Sequence, residues 1–179
     1  MTSDRYRVEP LFTQRDTHSS HWGTCTLVSP FSSGVQSVTI TILTLPRWTG
    51  YLGIGLIDSA CRVCADGDRL GVETKNSVSL NSRGRLCSNT PTSSSSSQIC
   101  HSILNDGDCV RIICDFESSP RTVQFFVNGK TGRSYMSGIP SSVKIGFSAP
   151  ESGTSFRIDN ISRLSHSIPI SPHMTEILW

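Results

Sequence analysis

The sequence predicts an all-β chain folded as a two-sheet antiparallel β-sandwich. Three observations lead there. Residues 35–43 alternate strictly, with Val38, Ile40 and Ile42 on one side of a period-two backbone and Ser37, Thr39 and Thr41 on the other, all β-favouring types. Residues 107–129 read as a hairpin that aligns Val110, Ile112 and Cys114 on one strand and Val123, Phe125 and Val127 on its partner. No segment carries a helical period, while about nine short strand-like runs succeed one another between Gly and Pro turns. One sheet of that width would leave an apolar face in water, so two facing layers are required.

In chain order, the first ten residues form a polar tail and the folded domain is expected over 11–164. Residues 22–28 read as a short strand, which Pro30 and Ser32-Ser33-Gly34 turn into the alternating run at 35–43. Residues 46–50, which start at Pro46, break that run. Residues 51–58 return as a strand in which Leu52, Ile54 and Leu56 align, while Gly53 and Gly55 leave the opposite face bare, so something is expected to pack closely over it. Residues 59–75 hold no period and are expected as a long loop, a length that marks either a binding element or a tolerated insertion. Residues 76–80 and 85–88 form a hairpin around Ser82-Arg83-Gly84. Residues 89–97, which include the serine run 93–97, are expected as a flexible low-complexity loop. Beyond the central hairpin, residues 141–148 place Val143, Ile145 and Phe147 inward, and residues 154–164 do the same with Phe156, Ile158 and Ile161. Residues 165–179 hold two prolines and end in Ile177-Leu178-Trp179, which predicts an extended tail, loose or laid back on the domain.

Composition limits the function. Of 179 residues, 36% are hydrophobic and 17% charged, with Ser and Thr supplying much of the polarity, a balance that suits one strand-rich domain. The formal net charge is only +2 and no two Lys or Arg adjoin, so nucleic acid is not an expected partner. No apolar stretch reaches the ~20 residues of a membrane-spanning helix. The polar start of the chain leads into no signal-like core, which predicts an intracellular, cytoplasmic protein. The seven cysteines, an odd number, sit mostly in strand-like segments and read as reduced thiols rather than a disulfide framework.

The ordered pieces of the chain resemble the SPRY family, a concanavalin A-like β-sandwich. They are Gly34 with the strand 35–43; Gly53-Ile54-Gly55-Leu56-Ile57; Asn76-Ser77-Val78-Ser79-Leu80 followed by Gly84; Gly107-Asp108-Cys109-Val110; Asp115-Phe116; and Phe125-Phe126-Val127-Asn128-Gly129. The interval from Gly-Asp-x-Val to Phe-x-x-Asn-Gly is the specific part, and the likeness covers roughly residues 11–164. It implies a binding module whose partner, a protein or peptide, is chosen by variable loops at one rim. The chain has no clean form of the aromatic and acidic strand motifs of the longer ubiquitin-ligase-associated members, so no ligase-adaptor role is carried over.

Each candidate site has a chemistry to satisfy. Cys61-Arg62-Val63-Cys64 has the spacing of half a zinc site, and Cys87, Cys100, His18 or His21 are imaginable completing ligands. No second close-spaced pair lies in the same region, so no metal is expected. Gly53-x-Gly55-x-x-Asp58 lies within a strand, where a dinucleotide fingerprint must end one. Asp66-Gly67-Asp68 and Asp106-Gly107-Asp108 lack the ligand spacing of a calcium loop and read as turns. Nothing marks a nucleophile with its base: Cys100 and His101 adjoin, and in a strand they would point to opposite faces. No enzyme and no cofactor are expected, and the chain is expected to act as a monomer. What remains are loop arginines and aromatics, the types that anchor protein interfaces. They are Arg47, Trp48, Tyr51, Arg62, Arg69, Arg121, Arg133 and Tyr135. The other reading of the same fold is a lectin-like carbohydrate-binding domain, which would want an aromatic platform with clustered Asp and Asn.

Overall fold

The alternating runs become strands that stack in two layers. In the computed structural model, which describes residues 22–45, 52–62, 69–150 and 154–179, twelve strands occur among the described residues. They are β1 (Trp22–Thr26), β2 (Val35–Thr44), β3 (Gly53–Asp58), β4 (Ser77–Asn81), β5 (Arg85–Thr90), β6 (Ser93–Ile99), β7 (Cys109–Asp115), β8 (Thr122–Val127), β9 (Lys130–Ser137), β10 (Val143–Pro150), β11 (Ser155–Leu164) and β12 (Thr175–Leu178). One six-stranded sheet has the order β1-β10-β3-β4-β5-β6 and the other β11-β2-β7-β8-β9-β12. All pairings are antiparallel except β12, which runs parallel to β9. The all-β sandwich expected from the sequence is the observed architecture.

The core forms where the alternation places it. Val38, Ile40 and Ile42 of β2, Val110, Ile112 and Cys114 of β7, and Val123, Phe125 and Val127 of β8 meet Leu52, Ile54, Leu56, Val143, Ile145 and Phe147 from the opposite layer in one buried cluster. The Phe147 and Phe156 rings stack across the layers with centroids 4.2 Å apart. A register shift between Ile158 and Asn160 explains how two residues three apart, Ile158 and Ile161, both pack on that core. The hairpin closes as the sequence suggests. Asn128 adopts a positive φ of 51°, its Oδ1 accepts from the Cys109 N–H at 2.9 Å, and its Nδ2 donates to Asp108 at 2.8 Å.

Three segments depart from the sequence reading. The serine run is not a loop: it is β6, an edge strand that needs only backbone bonds to β5 and whose hydroxyls find local partners, Ser88 Oγ lying 2.7 Å from both Ser93 Oγ and Ser96 Oγ. Residues 130–137 form β9 although Met136 is their only large aliphatic side chain. The stretch after Ser165 ends in β12, which adds to the second sheet.

Part of the outer face of each sheet is covered by the chain itself. Over the first sheet lies a tight turn in which the Arg69 carbonyl accepts from the N–H groups of Val72, Glu73 and Thr74. Leu70 is fully buried there: its N–H donates to Ser148 Oγ at 3.1 Å, its carbonyl accepts from Ser79 Oγ at 2.7 Å, and the Gly71 N–H donates to Ser77 Oγ at 2.7 Å. This turn is what covers the bare, small-residue face that the glycines of β3 announce. Over the second sheet, Leu164 and Ile168 pack on Val35, Ile113 and Phe126, and the Gln124 amide donates to the Ile168 carbonyl at 3.0 Å.

Candidate protein-interaction surfaces

Beyond the faces, the connections between strands gather at two rims. Strand directions sort them. One rim carries the β1–β2, β3–β4, β5–β6, β7–β8 and β9–β10 connections; the other carries the β4–β5, β6–β7 and β8–β9 connections, together with the end of β2 and the start of β3.

The candidate residues fall in three places. Arg62, Arg69 and Arg121 belong to connections of the first rim. Arg62 is exposed. Arg69 is half-buried and ion-paired with Glu73; partial burial pushes that carboxyl up, but the hydrogen bonds and charge of Arg69 outweigh it and hold the group below its ordinary value. Arg121 is committed to the fold. Its Nε donates to the Ile139 carbonyl at 2.8 Å, and its own carbonyl accepts from the Gly138 N–H, so it ties the β7–β8 connection to the β9–β10 one. Arg133 and Tyr135 do not sit in a loop, as expected, but along β9, with Tyr135 in register with Gln124 on one side and Glu176 on the other. Partial burial, then the charge and hydrogen bond of Glu176, push the Tyr135 hydroxyl above its ordinary value. Arg47, Trp48 and Tyr51, with His18, His21 and Cys64, lie outside the described residues.

Sequence reasoning passed over the exposed aliphatics. Val28, between β1 and β2, is 92% exposed on the first rim; Ile103 and Leu43 are exposed on the second. The signal was available, since Val28 continues a strand pattern that Pro30 then breaks, leaving an apolar side chain with no layer to enter. The Asn and Asp residues of the second rim are consumed by turn geometry: Asp106 accepts from the Leu45 N–H, Asp108 from the Asn105 N–H and from the Asn128 amide.

Cys100 and His101 do not point apart, because β6 has ended and the chain bends there. Both face Gly132 of β9, where an added Cβ would meet Cys100 Sγ at 2.3 Å and His101 Nε2 at 2.8 Å. Each is spent on a backbone carbonyl, Cys100 on Ser134 and His101 on Phe125. Burial raises the Cys100 thiol and lowers the His101 imidazole, so the uncharged form of each is favoured where the two sheets meet. Among the described residues no group of His, Cys, Asp or Glu is arranged to hold a metal ion, and no helix is long and apolar enough to cross a membrane.

No family model matches the chain, and no curated protein matches it in sequence. Solved structures do. A human SPRY domain superposes with a TM-score of 0.63 at 17% identity, covering 85% of this chain and 90% of its own. The fold is SPRY-like. The SPRY domain of human HERC1 is similar at a TM-score of 0.58 and 15% identity, covering 83% of this chain and 87% of its own. Such identities speak for the fold alone.

Proposed function

We propose that this SPRY-like chain is a non-enzymatic, intracellular protein-binding module that recognises a peptide or protein partner through the loops of its first rim. The observation that carries the reading is that the connections of that rim leave an almost fully exposed aliphatic side chain, Val28, and an exposed guanidinium, Arg62. Arg is among the residue types that anchor protein interfaces, and an exposed aliphatic side chain gains free energy when a partner covers it. Support also comes from the frame: a turn covers part of the first sheet's outer face and the strap after β11 covers part of the second's, while Val28 and Arg62 stay exposed. All six cysteines among the described residues are unpaired, which fits a reducing compartment.

The test compares captured proteins rather than counting them. Tagged wild type, a Val28→Asp/Arg62→Glu variant and a second-rim Ile103→Asp variant are used to isolate partners from the native cell, with circular dichroism confirming that all three fold. The expected result is a set of proteins lost with the first-rim variant and kept with the second. Equal capture by all three would remove the first rim from the reading.

A further inference from the structure

The geometry points to β12 as an exchangeable strand: the edge of β9 that it occupies accepts the same segment from a second copy of this chain, giving a strand-exchanged dimer when the protein is concentrated. The seat is specific. Thr175, Glu176, Ile177 and Leu178 lie in parallel register with Ser134, Tyr135, Met136 and Ser137. Ile177 enters the main core, Trp179 packs against it, and the Trp179 N–H donates to the Ser137 carbonyl at 2.9 Å. A second copy carries the identical segment, so every one of these contacts can be reproduced between chains.

The hold on the segment is light. Of residues 165–179 only Ile177 is buried. The strand has four residues and pairs in the parallel sense, the weaker arrangement per residue. Residues 165–174 cross the sheet from β11 to β12 without regular structure, and Pro169 and Pro172 stand in that crossing, where they favour extended backbone. Five strand spacings of about 4.8 Å make a span of roughly 24 Å. Eleven residue steps from Leu164 to Thr175 can reach about 36 Å, so the connection has the length to swing out. The crossed surface is also incompletely satisfied: Gln124 Oε1 and Ser137 Oγ are buried without a hydrogen-bond partner among the described residues, although Gln124 Nε2 holds the Ile168 carbonyl. A seat that leaves polar atoms unpaired opens more readily than one that pairs them all.

Tyr135 and Glu176 face each other across the pairing, so they report which chain supplies the strand. Two proteins are made, one with Tyr135→Cys and one with Glu176→Cys, mixed at high concentration and oxidised; a third protein carries both substitutions. Exchange predicts a disulfide-linked heterodimer in the mixture, absent from either single variant alone, with the linked peptides identified by mass spectrometry. It also predicts loss of that product when Ile177→Asp is added to the Glu176→Cys chain, and suppression by an excess of synthetic peptide spanning residues 171–179. A bond that forms within the double variant while the mixture yields no heterodimer overturns exchange. So does a heterodimer that persists with Ile177→Asp or resists the peptide, since collision of exposed thiols would then explain it.

Discussion

Leu70 and Gly146 provide a quantitative test of how the first sheet's outer face is closed. Leu70 is fully buried, and a methyl placed on Gly146 of β10 would stand 3.1 Å from Leu70 Cδ2 and 3.2 Å from Cδ1. Leu70→Ala removes a buried isobutyl group whose turn is pinned by Ser148 and Ser79, so the site collapses poorly and the cost should be about 3 kcal/mol, within the range for such truncations. For a chain of this length that is a fall of roughly 6–12 °C in Tm. Gly146→Ala alone presses its methyl into Leu70, and after the gain from a less flexible backbone the net cost should be about 1 kcal/mol. In the double variant the new methyl enters space that Leu70 has vacated. Its total cost should therefore undercut the sum of the singles by about 1 kcal/mol or more, a coupling expected only of residues in contact. Urea unfolding followed by circular dichroism reads all three variants. Additivity to within about 0.5 kcal/mol would refute the contact. A Leu70→Ala cost below about 0.5 kcal/mol would show the turn draped over the sheet rather than packed into it.

Other substitutions separate structural from binding roles. Arg121→Ala removes a charged donor from the Ile139 carbonyl and, with the side chain half exposed, should cost about 1–2 kcal/mol in urea unfolding, discounted from the usual value for such bonds. Asn128→Ala loses two hydrogen bonds and puts at positive φ a residue that tolerates it less well than Asn, so a loss of about 2 kcal/mol is expected, while Asn128→Gly should recover the backbone share of it. Burial lowers the His101 pKa below its unfolded value of 6.5. Above 6.5 both states hold a neutral ring and the term is fully present; as the pH falls below it the unfolded chain takes up the proton first, so stability declines toward the folded pKa. The urea midpoint should drop between about pH 7.5 and 5.5 in the wild type and drop less in His101→Gln; equal slopes would remove His101 as the cause.

The sandwich was legible where one face of a strand is apolar and the other is not. β2, β7, β8 and β10 advertise themselves through Val38, Ile40, Ile42, Val110, Ile112, Val123, Phe125, Val143, Ile145 and Phe147, every one of them buried. The strands missed lie at or beside a sheet edge. β6 is a serine run held by backbone bonds and hydroxyl pairs, and β9 has Gly132 and Ser134 on its inward side because Cys100 and His101 fill the space above them. β12 offers one apolar anchor in four residues, too few for a period to register. For the candidate surface, residue type alone could not separate Arg62 from Arg121. One is exposed; the other is spent on a carbonyl eighteen positions away in sequence, a contact that only the folded arrangement of two connections creates.

The distribution of covered and uncovered surface bears directly on recognition. An open sandwich of two six-stranded sheets offers two broad outer faces, and a curved face of that kind is a natural ligand platform. Here each is occupied in part. Leu70 and Gly71 fill the glycine and serine surface of the first sheet, and Asn89 fastens the same turn by donating to the Val72 carbonyl at 2.7 Å. Leu164 and Ile168 close the apolar part of the second. A ligand for the covered parts of the faces would have to displace these segments and forfeit their packing, whereas a ligand for the first rim meets Val28 and Arg62 as they stand. Binding to preset side chains avoids the ordering cost that displacement would add. The proposed recognition at the rim rests on how the chain spends its own loops, and a partner whose capture survives Val28→Asp/Arg62→Glu but fails when the 165–179 strap is altered would reverse that proposal.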